Sequence, residues 1–502
     1  MKKKENQKII YAYIPIGINN LEEMLSGTGL SFDRMKLLFH QLFLSRLRYA
    51  HNKTQRSNWL YTEGWVPIDS RILKMLLTQH YVRYLNWAEE NNLIERRRDE
   101  ITNGVKYVAG SYSQLIRIPK WLLHKSGTLR HFRKEQIIEY KAIKAVSIVR
   151  AEYKNRHEAS KWYYLINNTH HAIMEMNRLV RFRLDEAEYF LNKKYNQAKT
   201  EGSKRLMQDY LQIIEAINDG SLDYFSVDAF GNRLHTPITG LYGELRPYMY
   251  FKNNPDEQLV HIDIRNSQIY LVSCIVSNPA VVEKVLPEFS LCRELLETYK
   301  NHDDVSSFYQ DCCNGIIYES LAKGIIETTT DAELNNEEHE TIRNKAKTKL
   351  ISFLYSKLNS GNSNDEFKSL FQGRYPNVIN AIGHIKSLGE KYFPFMKEFY
   401  TDKRTGKYVG DGAAHKNLSR MMQLMESRII LGMVSPSLIQ SGLVPFVTIH
   451  DAFIVPLRNA QQVQTVIQET FRNIGLTPPR LKVIVLGKRS NTVSEINTTQ
   501  IQ

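Results

Sequence analysis

Phe446-Val-Thr-Ile-His450-Asp451-Ala-Phe-Ile-Val-Pro456 is the stretch on which the reading of this chain turns. Two apolar, β-branched runs meet at a His-Asp dipeptide, the pattern of a β-hairpin that presents a carboxylate at its tip. A plain surface hairpin with a turn aspartate has the same pattern, so the rest of the chain must decide. Leu259-Val-His-Ile-Asp263-Ile-Arg-Asn-Ser-Gln268-Ile-Tyr-Leu-Val272 is a second β-rich run that reaches an aspartate and is followed by a helix-like segment. Such an aspartate serves either as a helix cap or as a metal ligand on a rigid backbone. Two carboxylates brought together from distant strands are able to clamp two Mg²⁺ ions, with Mn²⁺ as a substitute, about 3.5–4 Å apart for in-line phosphoryl transfer.

Between the two aspartates lies Arg343-Asn-Lys-Ala-Lys347-Thr-Lys-Leu-Ile351-Ser-Phe-Leu-Tyr355. Arg343, Lys347, Ile351 and Tyr355 recur every four residues, so on a helix they form one slowly winding stripe. Two cations followed by an apolar and an aromatic residue would meet a nucleotide from triphosphate to base. An amphipathic helix with a basic surface is the bland alternative.

Taken together, the segments resemble the superfamily that joins family A DNA polymerases and single-subunit phage-type RNA polymerases, over about residues 225–490. Asp263 stands where the family's motif A aspartate falls, Arg343, Lys347 and Tyr355 match motif B, and His450-Asp451 matches motif C. Gly231-Asn-Arg233-Leu looks like the family's Gly-Arg segment, and Gln423-Leu-Met-Glu-Ser-Arg428 is similar to its template-side helix. The resemblance implies an α+β right-hand core with an antiparallel palm sheet. In it Asp263, Asp451 and the Ile264 carbonyl would hold two Mg²⁺, and Arg343 and Lys347 would meet the triphosphate, with Lys347 as proton donor. Ile351, Tyr355 and Gln268 would border the nucleotide, His450 the primer terminus, and Arg233 and Gln423 the duplex. The chain departs from the pattern at the sugar gate. An ungapped alignment puts Gln268 in place of the family's Glu, whereas a two-residue insertion puts Tyr270 there. Motif C carries Ala452 instead of the Glu of the DNA enzymes, closer to the RNA enzymes.

Ahead of this core, Asp69 or Ser70 can cap a helix with Ile72, Leu73, Leu76 and Leu77 on one face, and a second helix runs from about Tyr81 to Asn91. Leu93-Ile-Glu-Arg96-Arg97-Arg98, a turn at Asn103-Gly104 and the strand-like Tyr112–Ile118 complete an order that resembles the winged helix-turn-helix of plasmid and phage replication proteins. The resemblance implies duplex DNA contacts from Arg83 on the second helix and from Arg96, Arg97 and Arg98 at the wing. The expected organisation is a winged-helix domain over 1–120, a basic helical, thumb-like connector over 121–224, palm and fingers over 225–490 and a flexible tail over 491–502.

The chain has 502 residues and a net charge of +14, and residues 1–220 carry all of that excess while the remainder is balanced. A basic part joined to a neutral part suits a polyanion-binding module beside a part with another task. The length excludes a peptide hormone or a disulfide mini-protein. Four cysteines without a CxxC pair make neither a disulfide framework nor a zinc site, which points to a reducing, cytoplasmic setting. No apolar run follows the basic N-terminus, and no membrane partner is expected. The expected function is DNA-templated nucleotide addition on a primer and template from nucleoside triphosphates, for a plasmid, phage or mobile element, without editing. An RNA polymerase or primase, a non-catalytic DNA-binding initiator, and a template-independent or defence-associated polymerase stand as alternatives.

Overall fold

A computed structural model describes residues 10–51, 63–98, 104, 114–123, 128–160, 163–329, 336–357, 366–393, 396 and 410–487. The fold is mixed α+β, rich in helix, with small antiparallel sheets. It divides into two compact units, each assembled from separated segments of the chain.

The first unit gathers residues 1–163, 178–225 and 236–255. Within it, strands Val66–Ile68, Gln114–Arg117 and Glu95–Arg96 form a three-stranded antiparallel sheet with Gln114–Arg117 in the middle. Helices Ser70–Leu77 and Tyr81–Glu90 fill the connection. Asp69 caps the first by accepting the Arg71 backbone N–H at 2.8 Å, and Ile72, Leu73, Leu76 and Leu77 are buried as their spacing requires. The turn expected at Asn103-Gly104 lies, apart from Gly104 itself, outside the described residues. The tail over 491–502 lies outside them as well.

A second sheet pairs Ile10–Pro15 with Phe132–Ile137, Ile10 facing Ile137 and Pro15 facing Phe132. Residues on either side of the boundary expected at 120 therefore share a sheet. Part of the basic run of the connector is neutralised within this unit. Arg130 holds Glu188 and Glu215, each at 2.7 Å, Arg133 holds Glu135 at 2.8 Å, and Lys134 holds Asp219 at 2.7 Å. Lys141, Lys144 and Arg150 remain exposed on the helix Tyr140–Glu158.

The second unit gathers residues 164–177, 226–235 and 256–502. Its centre is a four-stranded antiparallel sheet. The middle strands are β1 (Leu259–Ile264) and its neighbour from the hairpin read in the sequence. Asn266, in the left-handed region at φ 55°, ends β1 and starts helix α1 (Ser267–Ser277), which is buried along almost its whole length. Helices α2 (Asn336–Tyr355) and α3 (Asn417–Ile429) follow. Strands β2 (Val447–Ile449) and β3 (Ala452–Pro456) then form the hairpin, Ile449 facing Ala452 across the two-residue turn His450-Asp451. Strand β4 (Leu481–Leu486) closes the sheet on the far side of β1. All four cysteines are buried and free. Among the described residues no helix is long and apolar enough to cross a membrane.

Candidate active site

The register of the sheet brings the two aspartates together. Asp263 faces Ala452 across the β1–β3 pair, and Asp451 is the residue immediately before Ala452. Antiparallel partners lie about 5 Å apart between Cα atoms, so both carboxylates arise at one end of the sheet from adjacent strands. His450 adopts φ 56°, which turns the chain sharply enough to set Asp451 at the hairpin tip. Both aspartates are half-buried.

A short hairpin, Ser226–Val227 paired with Leu234–His235, is stapled to α3. Arg233 donates through Nε at 2.8 Å and Nη2 at 2.9 Å to the two oxygens of Glu426. Arg420 donates to the Ala229 carbonyl at 3.0 Å and the Phe230 carbonyl at 2.7 Å. Gly231 sits so near α3 that an added Cβ would lie 2.6 Å from Gln423 Cβ, which only glycine avoids. Asp228 organises the turn, accepting the Gly231 N–H at 2.7 Å, the Arg233 N–H at 3.0 Å and His235 Nε2 at 3.1 Å. The His235 ring meets the His450 ring at 6.1 Å, edge to face.

Electrostatics tie this hairpin to the aspartates. Burial pushes Glu426 up to about 7; the charges of Asp451 and Asp228 add to the shift while Arg233 opposes it. Burial opposes the charge of Asp228 too, yet hydrogen bonds from His235, Gly231 and Arg233 hold it below the usual carboxylate range. Tyr355, at the end of α2, joins the cluster. Burial raises its hydroxyl, and the Arg233 guanidinium and the Gln423 amide beside it pull the other way. Lys386 is only 3% exposed and donates to the Phe353 carbonyl at 2.7 Å and the Ser356 carbonyl at 2.9 Å. Those bonds fix the end of α2 that bears Tyr355.

The expected stripe on α2 is divided. Twelve residues separate Arg343 from Tyr355, about 18 Å along a helix. Arg343 donates to Glu319 at 2.8 Å, and both Arg343 and Lys347 lie over the Tyr318 ring, at 5.8 and 6.0 Å. Ile351 is half-buried between the two ends. Gln268 is half-buried in the first turn of α1. Tyr270, the other candidate for the sugar gate, is fully buried, packs on Phe471 at 5.6 Å and donates its hydroxyl to the Thr477 carbonyl at 2.7 Å. Tyr270 thus serves the core, because its position on α1 turns it away from solvent.

Neither protein-family models nor curated proteins match this chain. Among solved structures it is similar to the POL domain of Pol1 from M. smegmatis, in complex with DNA primer-template and dNTP. The two share 11% identity at a TM-score of 0.38, over 68% of this chain and 73% of that one.

In the first unit, the cations of the three-stranded sheet differ in what they touch. Arg96 donates through Nε to Glu89 at 2.8 Å and through Nη2 to Asn86 at 2.8 Å, leaving its side chain 9% exposed. Arg98 shares Glu89 at 2.9 Å and is 43% exposed. The Arg97 backbone N–H donates to the Leu115 carbonyl at 3.0 Å. Arg83 is exposed on the helix Tyr81–Glu90 and donates to the Thr28 carbonyl.

Asp228, His235, Lys386 and Glu426 escaped the sequence reading. For Glu426 a signal was present: an acid inside the apolar run Met421, Met422, Leu424 and Met425 must find a buried partner. Among the described residues no group of three or more His, Cys, Asp or Glu side chains is arranged to hold a metal. The two aspartates offer oxygen donors only, the chemistry that Mg²⁺ and Mn²⁺ accept.

Proposed function

We propose that the chain is a DNA-templated nucleotidyltransferase, a DNA polymerase that replicates a plasmid, phage or other mobile element. The observation that carries this reading is convergence. Segments distant in sequence, the 226–235 hairpin, α3 193 residues beyond it at the Arg233–Glu426 pair, and the His450-Asp451 turn further on, meet at the end of the sheet that also bears Asp263. A structural ion pair would need Arg233 and Glu426 alone.

Asp263, Asp451 and the Ile264 carbonyl are the groups that would hold Mg²⁺. The ions, when bound, lower the pKa of the attacking hydroxyl and neutralise triphosphate charge. Lys347 and Arg343 bind the triphosphate, and Lys347 gives a proton to the departing pyrophosphate. Ile351 and Tyr355 pack against the incoming base and the templating pair, and Gln268 meets the sugar. His450 borders the primer terminus. Gln423 and Arg233 follow the duplex, Arg233 being held rigid by Glu426. The 66–117 segment acts as a winged helix whose Tyr81–Glu90 helix enters the major groove, with Arg83, Arg97 and Arg98 toward phosphate and Arg96, held by Glu89 and Asn86, bracing the helix against the strand.

Primer extension on a labelled DNA template with Mg²⁺ tests the reading, with dNTPs and rNTPs in separate reactions beside Asp451→Ala. Template-dependent product that vanishes in the variant is the expected result. Folded protein that binds duplex DNA without extending any primer would sink it in favour of a non-catalytic initiator. An RNA polymerase or primase is the second reading, favoured by Ala452 after the motif C aspartate and by the burial of Tyr270, which keeps its ring from acting as a gate against ribose. Extension with rNTPs alone would select it.

A further inference from the structure

Asp228 and His235 stand beside the His450-Asp451 turn with no task in the reaction just described. The turn that contains them closes without the imidazole, because Asp228 Oδ1 accepts the Gly231 N–H and Oδ2 the Arg233 N–H. The additional bond from His235 Nε2 to Oδ2, at 3.1 Å, therefore orients the ring rather than the backbone. The side chain of His235 is 44% exposed, far more than its structural neighbours Arg233 at 17% and Glu426 at 4%.

A carboxylate only accepts, so in the neutral imidazole it fixes the tautomer with the proton on Nε2 and leaves Nδ1 as an acceptor. An acceptor nitrogen recognises hydroxyl donors and gains nothing from phosphate oxygens. The ring lies against His450, the residue next to Asp451. In nucleotide addition the hydroxyl nearest to Asp451 is the one that attacks.

We propose that His235, oriented by Asp228, is a binding residue for the terminal 3′-hydroxyl of the primer strand. The inference rests on the polymerase reading and adds to it a residue that senses whether the primer end can be extended. Asp228 is the positioning residue, acting only through the ring.

The test is equilibrium binding of two labelled primer–templates, one ending in a 3′-hydroxyl and the other in a 2′,3′-dideoxynucleotide. Measurements in EDTA remove any metal contribution to the difference. The full chain should prefer the hydroxyl-ended primer by about fivefold, the worth of one hydrogen bond. His235→Phe should bind both primers equally, and His235→Gln, which keeps an acceptor, should recover part of the preference. The ratio is internal to each variant, so a misfolded fraction weakens both affinities and leaves it unchanged. A preference that persists in His235→Phe, or none in the unaltered chain, overturns the proposal while leaving the polymerase reading in place. Failure of the unaltered chain to bind either primer overturns both.

Discussion

The cluster at the end of the second unit's sheet and the basic face of the first unit use charge in opposite ways. At the sheet, one arginine and one glutamate are withdrawn from water, with side-chain exposures of 17% and 4%, and they meet in a two-pronged bond. In the first unit, Arg98 at 43% exposure shares the half-buried Glu89 with Arg96, and Arg130, Arg133 and Lys134, at 36–39%, pair with acids that are 16–25% exposed. A buried pair costs desolvation that only good geometry offsets, so losing one partner strands a charge. A surface pair is worth little in either direction. The basic face thus keeps its cations near water, whereas the sheet end withdraws one pair from it.

The largest effects should fall on the aspartates. Asp263→Ala or Asp451→Ala should lower single-turnover primer extension at least about a thousandfold, since in the proposed reaction each would remove a ligand for the ions that stabilise the transition state. Thermal unfolding should shift far less than activity, because both side chains are only half-buried. Residual activity above a hundredth in either variant would break the assignment of the sheet end as the reacting centre.

Next comes the ion pair. Arg233→Met leaves Glu426 buried beside Asp451, and should destabilise the second unit by roughly 3–5 kcal/mol in urea unfolding. Arg233→Met with Glu426→Leu should recover most of that loss, because no charge is stranded. If the double variant is as unstable as the single one, the pair is not the electrostatic unit described here.

These residues also show how far sequence reading reaches. The strand aspartates were legible because apolar alternation and a two-residue turn are local signals, and the hairpin at 447–456 and the helix after Asp263 took the expected form. Glu426 was visible only as an anomaly, since its partner Arg233 lies 193 residues away. Lys386 gave no signal, because what it caps is backbone on another helix. The stripe on α2 was legible as a helix face but not as two environments, for helical spacing says nothing about which neighbour, Glu319 or Gln423, each end will meet. The pairing of Ile10–Pro15 with Phe132–Ile137 was likewise out of reach, because strand partners so distant in sequence leave no periodic trace.

A histidine gives a prediction of intermediate size. Asn167 and His170 form a reciprocal cap at the start of the helix Asn168–Asn177: the Asn167 side chain accepts the His170 N–H, and His170 Nδ1 accepts the Asn167 N–H, both at 3.2 Å. Burial pushes this imidazole down to about 4, with His171 adding to the shift. The unfolded chain binds a proton near pH 6.5 that the folded chain refuses until about pH 4, so stability falls as pH drops through that window. The loss should be on the order of 3 kcal/mol at most. His170→Gln should make the profile shallower between pH 6.5 and 4, the buried His40 contributing over the same window, and an unchanged slope would remove His170 as a source.

The smallest effects, and the finest test of the contrast, belong to the basic face. Arg96 is held by Glu89 and Asn86 and is almost covered, whereas Arg83 is exposed. If the Tyr81–Glu90 helix enters a duplex, Arg83 adds a phosphate contact and Arg96 a brace between helix and strand. Arg83→Ala should then weaken duplex binding and make the slope of log affinity against log salt shallower by about one, with stability unchanged within about 0.5 kcal/mol. Arg96→Ala should do the reverse, costing up to about 1 kcal/mol of stability while leaving the salt slope alone. Equal slopes lost in both variants would mean that Arg96 leaves Glu89 to reach the DNA. The surface would then trade its internal pairs for phosphate, and the difference between the two regions would hold only for the unbound protein.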